Sequence, residues 1–94
     1  MKKPTILCIA GGFYFFGDEC AAPEGYVAIT SAAMFGGFGG GLGLPGVARG
    51  AAGATVTLDR FAPADVQMFP ISAVYGIFTS VDLYAFPGTT VRGA

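Results

Sequence analysis

Thr5-Ile6-Leu7-Cys8-Ile9-Ala10-Gly11-Gly12-Phe13-Tyr14-Phe15-Phe16 sets the class of structure this chain can adopt. Two short apolar runs, rich in β-branched and aromatic residues that suit a pleated surface, flank a pair of glycines. Glycine accepts positive φ without penalty, so Gly11-Gly12 reads as the turn of a tight β-hairpin. A two-residue turn pairs residues whose numbers sum to 23, which sets Cys8 opposite Phe15.

Further strand signals follow along the chain. Gly17 to Gly25, with Asp18, Glu19, Pro23 and Glu24, reads as a loop. Tyr26-Val27-Ala28-Ile29-Thr30 predicts a third strand; Ser31-Ala32-Ala33-Met34-Phe35 fits either its continuation or a helical turn. Thr55-Val56-Thr57-Leu58-Asp59 has the cleanest period of two, with Val56 and Leu58 on one face. Ile71–Tyr75 and Gly76–Thr79 predict one long strand or two short ones, and Val81–Phe86 alternates as another. Gly36 to Gly53 holds nine Gly and Pro45, and reads as a long loop. Phe61 to Pro70 reads as a second loop with a turn of helix at Ala64–Met68. The expected fold is therefore a single all-β domain over residues 1–94, a small sandwich or open barrel of five to seven short strands with a long Gly-rich loop.

Composition excludes whole classes of function. The chain is 94 residues, 53% hydrophobic and 12% charged, with a formal net charge of −1. Such hydrophobicity is incompatible with a disordered tail. Five Lys and Arg against six acids cannot neutralise a useful run of phosphates, so nucleic acid is not an expected partner. With no His and only two Cys, neither a dedicated zinc site nor histidine acid–base catalysis is available within one chain, and no enzyme activity is expected. Asp18, Glu19 and Glu24 cluster in sequence but lack calcium-loop spacing. Gly36–Gly41 can be forced onto a dinucleotide-loop spacing, yet no Lys follows and Pro45-Gly46 opposes a helix start. We expect no cofactor, no metal and no catalytic residue, with Cys8 and Cys20 as free thiols.

Membrane and export signals are weak. The longest uncharged run, residues 25–48, contains eight Gly, too many for a regular spanning helix. Lys2 and Lys3 ahead of Ile6–Phe16 outline a signal peptide, but Gly11-Gly12 split the apolar run and Asp18-Glu19 crowd the cleavage region. No membrane span and no secretion by signal peptide are expected.

What remains is a problem of surface. A compact domain of this mass exposes about 5,000 Å². Eleven charged side chains then give roughly one per 450 Å², far below the density of a well-solvated small domain. Large apolar patches mark contact surfaces. We expect this surface to be covered by copies of the same chain or by a larger shell protein. The expected interface anchors are Phe35, Phe38, Leu42, Leu44, Phe61 and Phe69, the apolar side chains of the Gly/Pro-rich segments. A free inhibitor or adaptor using the Gly-rich loop is the alternative.

Gly12-Phe13-Tyr14-Phe15-Phe16-Gly17, Glu24-Gly25-Tyr26-Val27, Ala32-Ala33-Met34 and the Gly-rich run ending in Leu44 follow one another in an order that resembles small uncharacterised β-rich proteins of tailed bacteriophages. The resemblance covers roughly the first half of the chain and is compatible with capsid decoration components. It implies a structural role in a virion, with particle assembly in the host cytoplasm, and carries no catalytic residue.

Overall fold

The computed structural model describes residues 3–61 and 65–93. Lys2 and residues 62–64, which include Pro63 and Ala64 of the expected second loop, lie outside the described residues, as do Met1 and Ala94. Strands β1 (Pro4–Ile9), β2 (Phe13–Cys20) and β3 (Tyr26–Gly39) are followed by a short helix, α1 (Gly43–Ala48). Then come β4 (Thr55–Arg60), β5 (Val66–Pro70), a single 3-10 turn at Ile71–Ala73, β6 (Val74–Thr79) and β7 (Thr89–Arg92). All seven strands join one sheet in the order β6-β1-β2-β3-β4-β7, with β5 also paired to β3. Every pairing is antiparallel except β4 with β7. The chain is thus all-β, a small open mixed sheet, as its strand signals predict.

The β1–β2 hairpin forms where expected, but one residue out of the expected register. Ile9 faces Phe13 and Cys8 faces Tyr14, so the loop has three residues, Ala10-Gly11-Gly12. The reason lies outside the hairpin: the Ala10 N–H donates to the Ala73 carbonyl at 2.8 Å, which removes Ala10 from pairing across the turn.

β3 is the spine. Its residues 28–34 pair with β2 on one edge, while the other edge is divided between β5 (Tyr26–Thr30) and β4 (Ala33–Gly39). Between those halves sits a bulge. Phe16 faces Ala33 and Asp18 faces Thr30, so Ser31 and Ala32 together oppose Gly17 alone. Ser31 takes φ +51°, the one non-glycine residue with positive φ among those described. The bulge shifts the alternation by one: Val27 and Ile29 face one side before it, and Ala32 faces that same side after it.

Both faces of the sheet are consequently buried. Ile6, Phe16, Ala33, Val56 and Leu58 join Val47 of α1 and Leu83 in one cluster, and Phe35, Leu44, Tyr84 and Phe86 pack against it. Leu7, Val27, Ile29 and Ala32 form the other, flanked by Ile9, Phe15, Phe61, Phe69 and Val74. Chain neighbours such as Ile6/Leu7 and Phe15/Phe16 serve opposite clusters, as period-two geometry requires. Val56 and Leu58 are buried as predicted, at 2% and 0% exposure.

Four segments correct the sequence reading. The Gly-rich segment is not one long loop: Gly36–Gly39 extend β3 and Gly43–Ala48 form α1, which leaves two short irregular pieces, residues 40–42 and 49–54. Gly36 is itself the extra residue of a second bulge, opposite β4, and a Cβ there would meet the Arg92 guanidinium at 2.5 Å. Helix α1 tolerates Pro45 because the ring occupies the first turn, where a backbone N–H has no helical partner to lose. Residues 17–20 are strand, not loop, since Asp18, Glu19 and Cys20 pair with Thr30, Ile29 and Ala28. Val66–Pro70 is strand rather than helical turn, because it completes the free edge of Tyr26–Thr30. Val81–Phe86, expected as a strand, is a turn: the Asp82 carboxylate accepts the Tyr84 N–H at 3.1 Å, and the Asp82 carbonyl accepts the Ala85 N–H. Such local side-chain capture of backbone donors competes directly with strand pairing.

Candidate functional site

The six expected anchors do not form one surface. β3 and the residues after it present Phe38 and Leu42 to solvent, 38% and 44% exposed. Phe38 stands edge-on to Phe35 with ring centroids 5.9 Å apart, and edge-on to Tyr14 of β2 at 5.7 Å. Tyr14 and Phe35 close the triangle at 6.0 Å. Phe35 and Leu44 are half-buried against the first cluster, and Phe35 links the aromatic group to it. Phe61 and Phe69 lie elsewhere: their rings flank Phe15 at 6.2 and 4.8 Å within the second cluster. Both are half-buried against that cluster, and β5 brings Phe69 opposite Val27.

A larger apolar surface escaped the sequence reading. Tyr75, Ile71 and Ile77 are exposed at 79%, 55% and 51%, and Phe78, at 41%, is exposed on the opposite face of β6 from Ile77. A cleft of about 390 Å³ opens here, lined by Val27, Ile71, Val74, Tyr75, Gly76 and Ile77. It is bounded by β6, the 3-10 turn before it and Val27 at the start of β3. The register of β6 on β1 shifts between Cys8 and Ile9, leaving Tyr75 as the inserted residue. The available signal was charge: the sixteen residues between Asp65 and Asp82 include none.

The polar constellations are few and structural in character. The Tyr84 hydroxyl donates to the Ser31 carbonyl, tying the 81–86 turn to the β3 bulge. The Arg60 guanidinium lies 5.0 Å from the Tyr84 ring centroid, and its buried Nε has no hydrogen-bond partner among the described residues. Burial pushes the Tyr84 phenol up from its ordinary pKa against the lowering effect of Arg60, with Asp18 and Asp82 adding to the rise. Asp59 holds Arg92 through two hydrogen bonds at 2.6 and 3.0 Å, and raises the guanidinium pKa further. Asp18 and Glu19 lie in β2 rather than in a loop with Glu24, and Glu19 pairs with Lys3 at 3.3 Å.

Cys8 and Cys20 are free, Cys8 with its thiol pKa raised by burial. Among the described residues no three Cys, Asp or Glu side chains converge as a metal site would require, and no helix is long and apolar enough to cross a membrane. What the sheet does present is apolar: exposed aromatic and aliphatic side chains around Phe38 and around β6. Set beside protein-family models, curated proteins and solved structures, the chain matches none.

Proposed function

We propose that this protein is a non-enzymatic structural component of a large assembly, a bacteriophage virion protein of the capsid decoration or minor structural kind. The observation that carries the reading is exposure. Among the described residues twelve large hydrophobic side chains are exposed, on a chain with eleven charged ones and a surface of 5091 Å². In a solitary molecule that surface would promote indiscriminate association. In an assembly each apolar square ångström covered contributes about 25 cal/mol, less the cost of ordering the partners.

The Tyr14–Phe35–Phe38 group with Leu42 suits attachment to a neighbouring copy or a shell protein. Its rings are braced by one another, so little side-chain freedom is lost on contact. The alternative, a free inhibitor or adaptor, would use the parts of the Gly-rich segment outside β3 and α1, residues 40–42 and 49–54.

Velocity sedimentation of the purified protein tests the proposal, alone and mixed with shell particles of a tailed phage that lack their decoration protein. The expected result is self-association or co-sedimentation with the particles, weakened by the double variant Phe38→Ser/Leu42→Ser. A monodisperse monomer that ignores the particles would overturn it.

A further inference from the structure

We propose that β6 is the seam of a two-fold dimer, in which Val74–Thr79 of one copy pairs antiparallel with the same strand of a second copy and closes the cleft beside it. The six-strand path ends in two edges of opposite character. β7 carries a charge, Arg92, fixed in place by Asp59. β6 reads Val-Tyr-Gly-Ile-Phe-Thr, with no charge and no proline. Charged side chains and prolines are the usual devices that keep a strand edge from recruiting another strand. The one protective feature, the bulge, sits at the start of β6 and leaves Gly76–Thr79 in regular register with Thr5–Cys8.

A second copy fits this edge better than an unrelated protein for two reasons. The first is self-complementarity. In a two-fold antiparallel pair each strand meets its own sequence, so any charge on it would approach its equivalent; an uncharged strand avoids that repulsion in every register. The chain is uncharged on both sides of β6 in sequence, through residues 66–81.

The second reason is area. Tyr75, Ile71 and Ile77, on the cleft side, are 79%, 55% and 51% exposed, while Phe78 points to the opposite face of β6. With a large side chain presenting roughly 150–200 Å², the three leave roughly 300 Å² bare, more than a third of the ~800 Å² per partner of a standard interface. The backbone of β6 and the neighbouring Val27 and Val74 of the cleft add to it. Pairing would also satisfy the outward N–H and C=O groups of β6 with backbone rather than water, which gives the contact its direction.

The test is sedimentation equilibrium from micromolar to millimolar concentration, with amide hydrogen exchange of the unmodified protein at both ends of that range. The expected results are a dimer for the natural chain, protection of β6 amides that rises with concentration, and at least a tenfold weaker dimer for Ile77→Lys. Exchange needs no variant, so a misfolded Ile77→Lys would leave the test intact. β6 protection independent of concentration overturns the proposal. So does a folded Ile77→Lys variant that associates like the natural chain. Association abolished by Phe38→Ser/Leu42→Ser but indifferent to Ile77→Lys would sink the β6 seam while leaving the assembly reading standing. A monomer at every concentration that also ignores shell particles would remove both.

Discussion

Gly17→Ala is the sharpest probe of the β3 bulge. A Cβ at Gly17 would stand 2.7 Å from the Thr30 carbonyl oxygen and 3.0 Å from the Ile29 Cβ. Ordinary carbon–oxygen contacts between strands lie at about 3.3 Å or more, so β2 and β3 must separate by roughly half an ångström at the bulge. Neither neighbour can yield cheaply: one is backbone, and Ile29 is fully buried in the second cluster. Overpacking of this kind costs about 1–3 kcal/mol. At about 4–8 °C per kcal/mol for a domain of this size, Tm should fall by roughly 8–16 °C for a mid-range cost of 2 kcal/mol. Calorimetry alongside Gly37→Ala supplies the control, since a Cβ at Gly37 meets nothing within 4 Å and the backbone needs no positive φ there. That variant should be neutral or gain about 0.5 kcal/mol from a stiffer unfolded chain. Equal effects of the two substitutions would refute the bulge argument.

Leu83 is fully buried although it sits in a turn, so Leu83→Ala should cost about 2–5 kcal/mol; urea unfolding with less than 1 kcal/mol lost would show that the turn does not seal the first cluster. Stability should also decline on the alkaline side. The folded pKa of Cys8 and of Tyr84 is raised, in both cases first by burial, so their contribution is complete below the unfolded values of about 8.5 and 10. It is lost as pH climbs through the higher folded values. Tm measured across that range should fall, with the earlier part of the fall absent in Cys8→Ala; a Tm that holds or rises would contradict the burial of both groups.

The strands that a period of two can reveal were legible. Thr55–Asp59 is identified by its one apolar face, and Tyr26–Thr30 and the first hairpin by short β-favouring apolar runs bounded by glycine turns. What the sequence hides is pairing that overrides composition. Gly36–Gly39 look like a loop since glycine has little strand propensity, yet β4 offers them a complete hydrogen-bonding edge. Val81–Phe86 fails in the other direction: its alternation is real, but Asp82 captures the local N–H groups. Of the candidate site, Phe38 and Leu42 were recoverable as apolar residues in a polar-poor, flexible-looking segment. Tyr75 and Ile77 were not, because a buried central strand and a bare edge strand have the same letters; only strand order tells them apart.

Ile29, Ala32 and Ala33 lie within five residues of one another on β3 and feed both hydrophobic clusters. Neither cluster can therefore melt while the other persists, for the loss of β3 from one removes it from both. The molecule should behave as a single cooperative unit, without the partly opened forms that separate lobes allow. The slowest-exchanging amides should gather around residues 29–33, released only when the entire chain lets go.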